Sequence, residues 1–94
     1  MSRREREGDV LTFQVFKICP LSGEKTHLST VVVKAKEITR KHTVEDVKDK
    51  LESRFGLRGK SFKMCFNGSV MDEDDLFYAD HYMLLPATIQ VVTL

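Results

Sequence analysis

The stretch from residue 43 to residue 56, TVEDVKDKLESRFG, decides the fold because every local signal in it predicts one capped α-helix. Thr43 is an N-cap residue whose side chain can accept a hydrogen bond from the first helical turn, and Asp46 stands three residues on, in the capping-box position. Apolar side chains recur every three or four residues as one stripe, at Val44, Val47, Leu51 and Phe55. Gly56 follows them where a left-handed residue ends a helix. The stretch therefore predicts a helix that buries a single face.

Two strands are predicted ahead of this helix. Residues 10–18 (VLTFQVFKI) alternate between a wholly apolar face and a mixed face. Phe16 and Ile18 stand at the far end of the mixed face, and with Leu21 they are expected either to form an exposed apolar patch or to be covered by the turn or the N-terminal arm. Residues 27–36 (HLSTVVVKAK) form the second strand, centred on three consecutive valines. Residues 19–23 (CPLSG) contain Pro and Gly, which punctuate a turn, so the two strands are predicted to form a hairpin.

Further strands are predicted after the helix. Residues 61–66 (SFKMCF) alternate as a half-buried strand, and Asn67-Gly68 is a strong hairpin signal that leads to a short return strand at residues 69–71. Residues 76–83 are expected to hold a short helical turn and irregular chain. Residues 88–94 (TIQVVTL) form a long apolar last strand. Such a strand needs a neighbour on each side, so we expect it in the middle of the sheet.

Length and composition predict one domain. The chain has 94 residues, of which 41% are hydrophobic, and no apolar run approaches the ~20 residues of a membrane span. Residues 1–9 are charged and are expected to be a disordered lead-in to a domain at residues 10–94, not a signal peptide. We therefore expect a monomeric protein of the cytoplasm, the nucleus or both, with no membrane contact.

Charge is distributed unevenly along the chain. Residues 1–63 contain all 15 basic residues and nine acidic ones, a net charge of +6, whereas residues 64–94 contain five acids and no base. Residues 72–75 are predicted to be an acidic surface loop. The asymmetry indicates either two solvated surfaces that balance each other or two faces for different partners. Nucleic-acid binding is not expected, because the basic excess is modest and lacks interleaved aromatic residues.

No pattern of metal ligation or catalysis appears. Cys19 and Cys65 are too few for a disulfide scaffold, and the three histidines are scattered, so neither a metal nor a cofactor is expected. Cys65 is interpreted as an ordinary half-exposed strand cysteine, with a reactive thiol as the alternative. His81 beside Asp80 suggests an acid–base pair, but no nucleophile completes it, so a surface histidine is the preferred interpretation. We therefore expect no enzyme.

Three segments resemble ubiquitin. Residues 43–51 (TVEDVKDKL), followed by Phe-Gly-Leu at 55–57, resemble its helix with the Thr cap and the trailing Gly-Ile. Residues 62–71 (FKMCFNGSVM) resemble its strand, Ala-Gly turn and return strand, and residues 88–92 (TIQVV) are similar to its last strand. The resemblance spans residues 10–94. It implies an α+β, ubiquitin-like β-grasp fold with ββαββ-β order, in which a mixed sheet of four to five strands packs on one main helix.

The resemblance also implies a non-catalytic domain that binds proteins, including proteins of the ubiquitin pathway. The chain ends Val-Thr-Leu without Gly-Gly, so as it stands it is not expected to be a conjugatable modifier; alternatively, the domain heads a longer protein. By position, ubiquitin's apolar binding patch corresponds to Cys65, Gln90 and Val92, with Leu21 in the first turn. Cys65 replaces an isoleucine and Gln90 a histidine, so the patch is predicted to be smaller and more polar.

A basic group at the second strand and its exit offers a rival surface. Its members are Lys34, Lys36, Arg40 and Lys41. Basic residues on an edge strand often serve only to discourage aggregation. The alternative is an acidic partner that docks by strand addition. Ras-binding and Ras-association domains share the β-grasp fold and use a basic second strand in this way, so an acidic small GTPase is the alternative partner.

Overall fold

The computed structural model describes residues 9–57 and 61–94, where the chain forms one sheet packed on one main helix. The elements are, in chain order, β1 (Val10–Ile18), β2 (Lys25–Lys34), the 3-10 turn Ala35–Glu37, α1 (Val44–Phe55), β3 (Lys63–Phe66), β4 (Ser69–Val70) and β5 (Ala87–Thr93). The sheet order is β2-β1-β5-β3-β4, with β1 and β5 parallel and the other pairs antiparallel. This mixed five-stranded sheet with its last strand at the centre confirms the predicted α+β β-grasp fold. The predicted lead-in at residues 1–9 lies outside the described residues, apart from Asp9.

The ends of α1 are built as the sequence predicts. The Thr43 side chain accepts a hydrogen bond from the Asp46 backbone N–H at 3.2 Å, and the Asp46 carboxylate accepts one from the Thr43 N–H at 3.0 Å. Gly56 ends the helix in the left-handed conformation, with φ of 75°, and its N–H bonds back into the last turn. This reciprocal capping box satisfies two backbone donors that the helix itself leaves without partners.

The capping box makes a pH dependence testable. Hydrogen bonds from the Thr43 backbone, and then from its side chain, lower the pKa of Asp46. A carboxylate whose pKa is lower in the folded state contributes stability above its unfolded pKa, and that contribution is lost as the pH falls through the folded pKa. We therefore expect the free energy of unfolding to fall less for Asp46→Asn than for the wild type between about pH 7 and about pH 2.5, as measured by urea unfolding.

The matched control for this measurement is Asp72→Asn, which removes an exposed carboxylate outside the helix. The control is expected to keep the wild-type pH slope. An Asp46→Asn slope equal to that of the wild type would contradict the role given to the capping box.

The core lies between one face of the sheet and the apolar stripe of α1. Phe13 on β1 is fully buried, and its ring centroid lies 5.3 Å from that of Phe55 and 6.3 Å from that of Phe77. Phe62 packs edge-on against Phe55 at 5.7 Å. Every member of the predicted helix stripe is buried, at Val44, Val47, Leu51 and Phe55. The helix is therefore held mainly by burial of this stripe, as for most helices in small domains.

The second strand lies two residues earlier than predicted, at Lys25–Lys34 instead of residues 27–36. Its hairpin pairs Ile18 with Lys25, with an irregularity in the ladder between Val15 and Phe16. At the other end, the Ala35 N–H donates to the Asp9 carbonyl and the chain turns at once into the 3-10 turn. That turn buries Ala35 and leads to the buried Ile38, so burial of two apolar side chains ends the strand.

The acidic segment at residues 72–75 is more than a surface loop, because it packs on the start of α1. The Val44 N–H donates to the Asp75 carbonyl at 2.8 Å, and the Glu45 N–H donates to the Glu73 carbonyl at 3.1 Å. Lys48, only 3% exposed, places its Nζ 2.6 Å from Glu73 Oε2 and 5.0 Å from the centre of the Phe62 ring. The segment thus supplies both helix-start acceptors and the counter-charge of a buried lysine.

Residues 76–83 contain the predicted short helical turn, in which the Asp80 N–H donates to the Leu76 carbonyl at 3.3 Å. Tyr82, with a positive φ of 49°, ends this turn in the left-handed conformation, so it does not continue into a longer helix. Within the described residues, no helix is long and apolar enough to cross a membrane.

Candidate functional site

The sheet face that turns away from α1 carries three of the predicted patch residues next to one another. Cys65 lies directly opposite Gln90 in the ladder between β3 and β5, and Val92 lies opposite Lys63. Residues opposite each other across a ladder point to the same face. Cys65, Gln90 and Val92 are each partly exposed, while the residues between them alternate into the core. The register therefore brings the three together, although their role in binding stays a prediction.

Two further apolar side chains extend this surface. Phe16 is the β1 partner of Val92, and Val70 on β4 lies opposite Cys65 and is 57% exposed. We call the set Phe16, Cys65, Val70, Gln90 and Val92 the outer-face patch. Sequence reasoning missed Val70, although a signal was present: a two-residue Asn67-Gly68 turn fixes the hairpin register and so places residue 70 opposite residue 65. Both turn residues have positive φ, as such a turn requires.

Leu21 lies apart from the strands of the patch, in the turn that follows β1. Its side chain is 96% exposed. Because β1 and β5 run parallel, this turn lies at the same end of the sheet as Val92. Its membership of the binding surface remains a prediction.

Cations border the outer-face patch. Lys25 places its Nζ 3.4 Å from the Gln90 Oε1 atom and 5.0 Å from the centre of the Phe16 ring. The His27 ring packs edge-on against Phe16 at 5.5 Å, and Lys63 is exposed beside Val92. The arrangement is an apolar strip with positive charge at two edges, which suits a partner with an apolar centre and acidic groups at its rim.

The four basic residues of the rival surface do not share one strand. Lys34 ends β2, Lys36 lies in the 3-10 turn, and Arg40 and Lys41 lie in the connection to α1; all four are exposed. Among the strands of residues 9–57 and 61–94, β2 lies at an edge of the sheet, the position at which a further strand can be added. Lys34, Lys36 and Arg40 also line a groove, together with residues 78–79 and 82–85, and Lys41 is not among its lining residues.

The side chains considered for chemistry lie apart. Cys19 and Cys65 are free thiols on different elements, and a hydrogen bond with the Ser22 side chain is the main cause that lowers the pKa of Cys19. His81 approaches Asp75, at 3.0 Å between Nε2 and Oδ2 but without hydrogen-bond alignment, and not its neighbour Asp80. Across residues 9–57 and 61–94, no group of three or more His, Cys, Asp and Glu side chains is placed to hold a metal ion.

The fold and its outer face define a β-grasp domain, and comparison with known proteins agrees. The ubiquitin family model matches residues 25–93. The chain therefore belongs to the ubiquitin family.

Among solved structures, the chain is similar to the NMR solution structure of a computationally designed protein based on human erythrocytic ubiquitin. The two are 20% identical, the match covers 88% of this chain and 87% of that one, and the TM-score is 0.62. At this identity the likeness supports the fold alone. A search of curated proteins finds no match.

Proposed function

We propose that this domain binds other proteins through the outer-face patch and catalyses no reaction. The observation that carries the proposal is the ladder register that sets Cys65, Gln90 and Val92 side by side, with Phe16 and Val70 as apolar neighbours. The partner class consists of cytoplasmic or nuclear proteins that recognise ubiquitin-like domains. Their acidic groups would meet Lys25 and Lys63.

Burial energetics support a contact centred on Val92. Complete burial of one large aliphatic side chain contributes about 1.5–3 kcal/mol. A few well-packed side chains usually carry most of the binding energy of an interface, so a small patch suffices. Cys65 and Gln90 make the patch smaller and more polar than the apolar patch of ubiquitin, which predicts that the domain binds different partner proteins.

A second candidate is an acidic partner, such as a small GTPase, that adds a strand to β2. The edge position of β2 among the described strands favours it, because an edge strand presents one row of main-chain groups to a new strand. Lys34 at the end of β2 and the cations after it would then select for acidic side chains. In this candidate the outer-face patch plays no part.

Val92→Asp is the variant that tests the first candidate. Its charge would be buried at the centre of the contact, so we expect it to raise the Kd for the partner roughly 10- to 100-fold. The wild type and the variant are used as baits to capture proteins from cell extract, and the captured proteins are quantified by mass spectrometry. The Kd for the most enriched protein is then measured with both partners purified. Val70→Asp, at a more exposed position, provides a second variant if Val92→Asp unfolds.

The matched control is Val32→Asp, which makes the same change on β2. Val32 is 60% exposed and lies opposite Thr12, four residues along β1 from the Val92 partner Phe16. The first candidate expects Val32→Asp to retain the partner. Loss of binding in Val32→Asp and Lys34→Glu, with Val92→Asp and Val70→Asp unaffected, would reject the outer-face patch in favour of β2.

A further inference from the structure

A large groove lies at the end of the sheet where β1 and β5 begin. Its volume is about 1140 Å³, and it runs between the exit of β2 and the turns at residues 78–85. Ile38 and Met83, which are 2% and 8% exposed, form its floor. The groove exceeds the ~300–1,000 Å³ usual for small-molecule pockets, so it offers room for several side chains. Phe16 and Val92 of the outer-face patch lie toward the opposite ends of β1 and β5, so this surface is separate from that patch.

The rim of the groove exposes large apolar side chains. Tyr82 is 88% exposed, Leu84 is 82% exposed and Leu85 is 39% exposed, within four consecutive residues. Single exposed apolar residues are common, but a contiguous group beside an apolar floor indicates an interaction site. Tyr82 also has a φ of 49°. This left-handed conformation is energetically unfavourable for residues other than glycine, and residues that adopt it tend to occur at functional positions.

Hydrogen bonds hold the two walls of the groove together. The Tyr78 hydroxyl donates to the Ala35 carbonyl at 2.8 Å, across 43 positions of sequence. Burial raises the pKa of Tyr78 to about 12, so the hydroxyl stays a donor near neutral pH. The Met83 N–H donates to the Tyr78 carbonyl, and the Ala35 N–H donates to the Asp9 carbonyl. A groove whose walls are already fixed loses little conformational entropy when a ligand binds.

The charge of the groove is positive. Lys34, Lys36 and Arg40 line it, against Asp9 as its acidic member. Within residues 9–57 and 61–94, none of the three cations forms an ion pair. An arginine guanidinium can bind a carboxylate through two parallel hydrogen bonds, and exposed lysines steer acidic ligands toward a site. The groove therefore complements a ligand that combines carboxylates with an apolar group.

We propose that this groove binds an acidic peptide segment of another protein, which inserts an aromatic or aliphatic side chain between Ile38, Met83 and Leu84. The carboxylates of the segment lie against Lys34, Lys36 and Arg40. This contact differs from strand addition along β2, because the anchor enters the groove at the end of the sheet and Lys41 takes no part. It also leaves the outer-face patch free, so one domain can hold two partners at once.

Selection from a displayed library of random peptides of about twelve residues tests the proposal with the full chain as target. We expect enriched sequences to contain Asp or Glu together with a large apolar residue. When such a peptide is added to the isotopically labelled protein, backbone amide signals of residues 34–40 and 78–85 should shift. Raising the salt from about 0.1 M to about 1 M shortens the Debye length from about 10 Å to about 3 Å, so the Kd should rise.

Variants at exposed positions separate the groove from other surfaces. The double variant Lys36→Glu/Arg40→Glu should raise the Kd for the selected peptide at least about tenfold, and Leu84→Ser should raise it about tenfold. The matched control Lys63→Glu reverses a charge at the outer-face patch and should change the Kd by less than about twofold. Thermal unfolding of each variant checks that the fold is kept.

Several outcomes would overturn the proposal. The first is enrichment of neutral or basic peptides, and the second is a set of amide shifts confined to residues 26–33 of β2. The third is self-association that the groove variants abolish, because that result would assign the groove to a second copy of the chain. Shifts at residues 63–66 and 90–92 alone would also reject it while supporting the outer-face patch. Failure of the groove is therefore distinguishable from failure of the proposed function.

Discussion

Replacing Phe13 by Ala is expected to lower the free energy of unfolding by about 3–5 kcal/mol. Phe13 is fully buried and contacts the rings of both Phe55 and Phe77, so it links the sheet to α1 and to the turns at residues 76–83. No single neighbour can fill the cavity that its loss creates. Domains of this size are stable by only about 5–15 kcal/mol, so we expect the thermal midpoint to fall by more than about 12 °C, measured by far-ultraviolet circular dichroism.

Phe16→Ala is the matched control, since it makes the same change on the same strand three residues away. The Phe16 side chain is half-buried on the outer face, beside His27 and under the Lys25 ammonium. It leaves no closed cavity, so we expect less than half of the Phe13→Ala loss. Equal losses from the two variants would contradict the alternation of β1 that places Leu11, Phe13 and Val15 in the core.

Replacing Glu73 by Ala is expected to cost about 2–4 kcal/mol, because it leaves the buried ammonium of Lys48 without this carboxylate. Removal of one partner of a buried ion pair usually costs about 3–5 kcal/mol. The Glu73 side chain is 48% exposed, so water can reach the vacated site and moderate the loss. The free energy of unfolding from urea denaturation measures the effect.

Lys48→Met separates the cost of a buried charge from the loss of a contact. The methionine keeps an unbranched apolar side chain over the face of Phe62 and removes the charge that needs a counter-ion. We expect Lys48→Met to change the free energy of unfolding by less than about 1.5 kcal/mol. If Lys48→Met were as destabilising as Glu73→Ala, the pair itself, and not the desolvated charge, would control stability at this point.

The helix and its ends were predictable because the signals that define them are local. A Thr cap, an Asp three residues later, an apolar stripe and a closing Gly act within one stretch of chain, and α1 begins and ends where they indicate. The central position of β5 was also predictable, since a long apolar strand needs a neighbouring strand on each side. Such features depend on residue type and spacing, which the sequence contains in full.

Features that depend on distant contacts were not predictable in the same way. The buried ion pair joins Lys48 to Glu73 across 25 positions, and sequence reasoning treated the acidic segment as a solvated loop. The end of β2 depends on burial of Ala35 and Ile38 against residues far along the chain. The groove depends on the bond between Tyr78 and Ala35. Each of these is decided by tertiary packing, which local preference does not encode.

The candidate binding site was predictable in part. The neighbourhood of Cys65, Gln90 and Val92 came from resemblance to ubiquitin, and the register of β3 and β5 does place them together. Val70 follows from hairpin geometry and was missed. The basic group at Lys34 to Lys41 was predicted from its spacing in sequence, but three of its members line a groove and one does not. The closeness of these four basic residues in the sequence therefore did not show that all four would lie on one surface.

The most direct test of the central claim, that the outer face of the sheet is the docking surface, is an amide chemical-shift map. The full chain, labelled with nitrogen-15, is titrated with the partner most enriched by the wild-type bait. The proposed function predicts the largest shifts at residues 14–16, 63–66, 70 and 90–92, and predicts their loss in Val92→Asp. Shifts confined to the helix at residues 44–55, with the sheet signals unchanged, would contradict it.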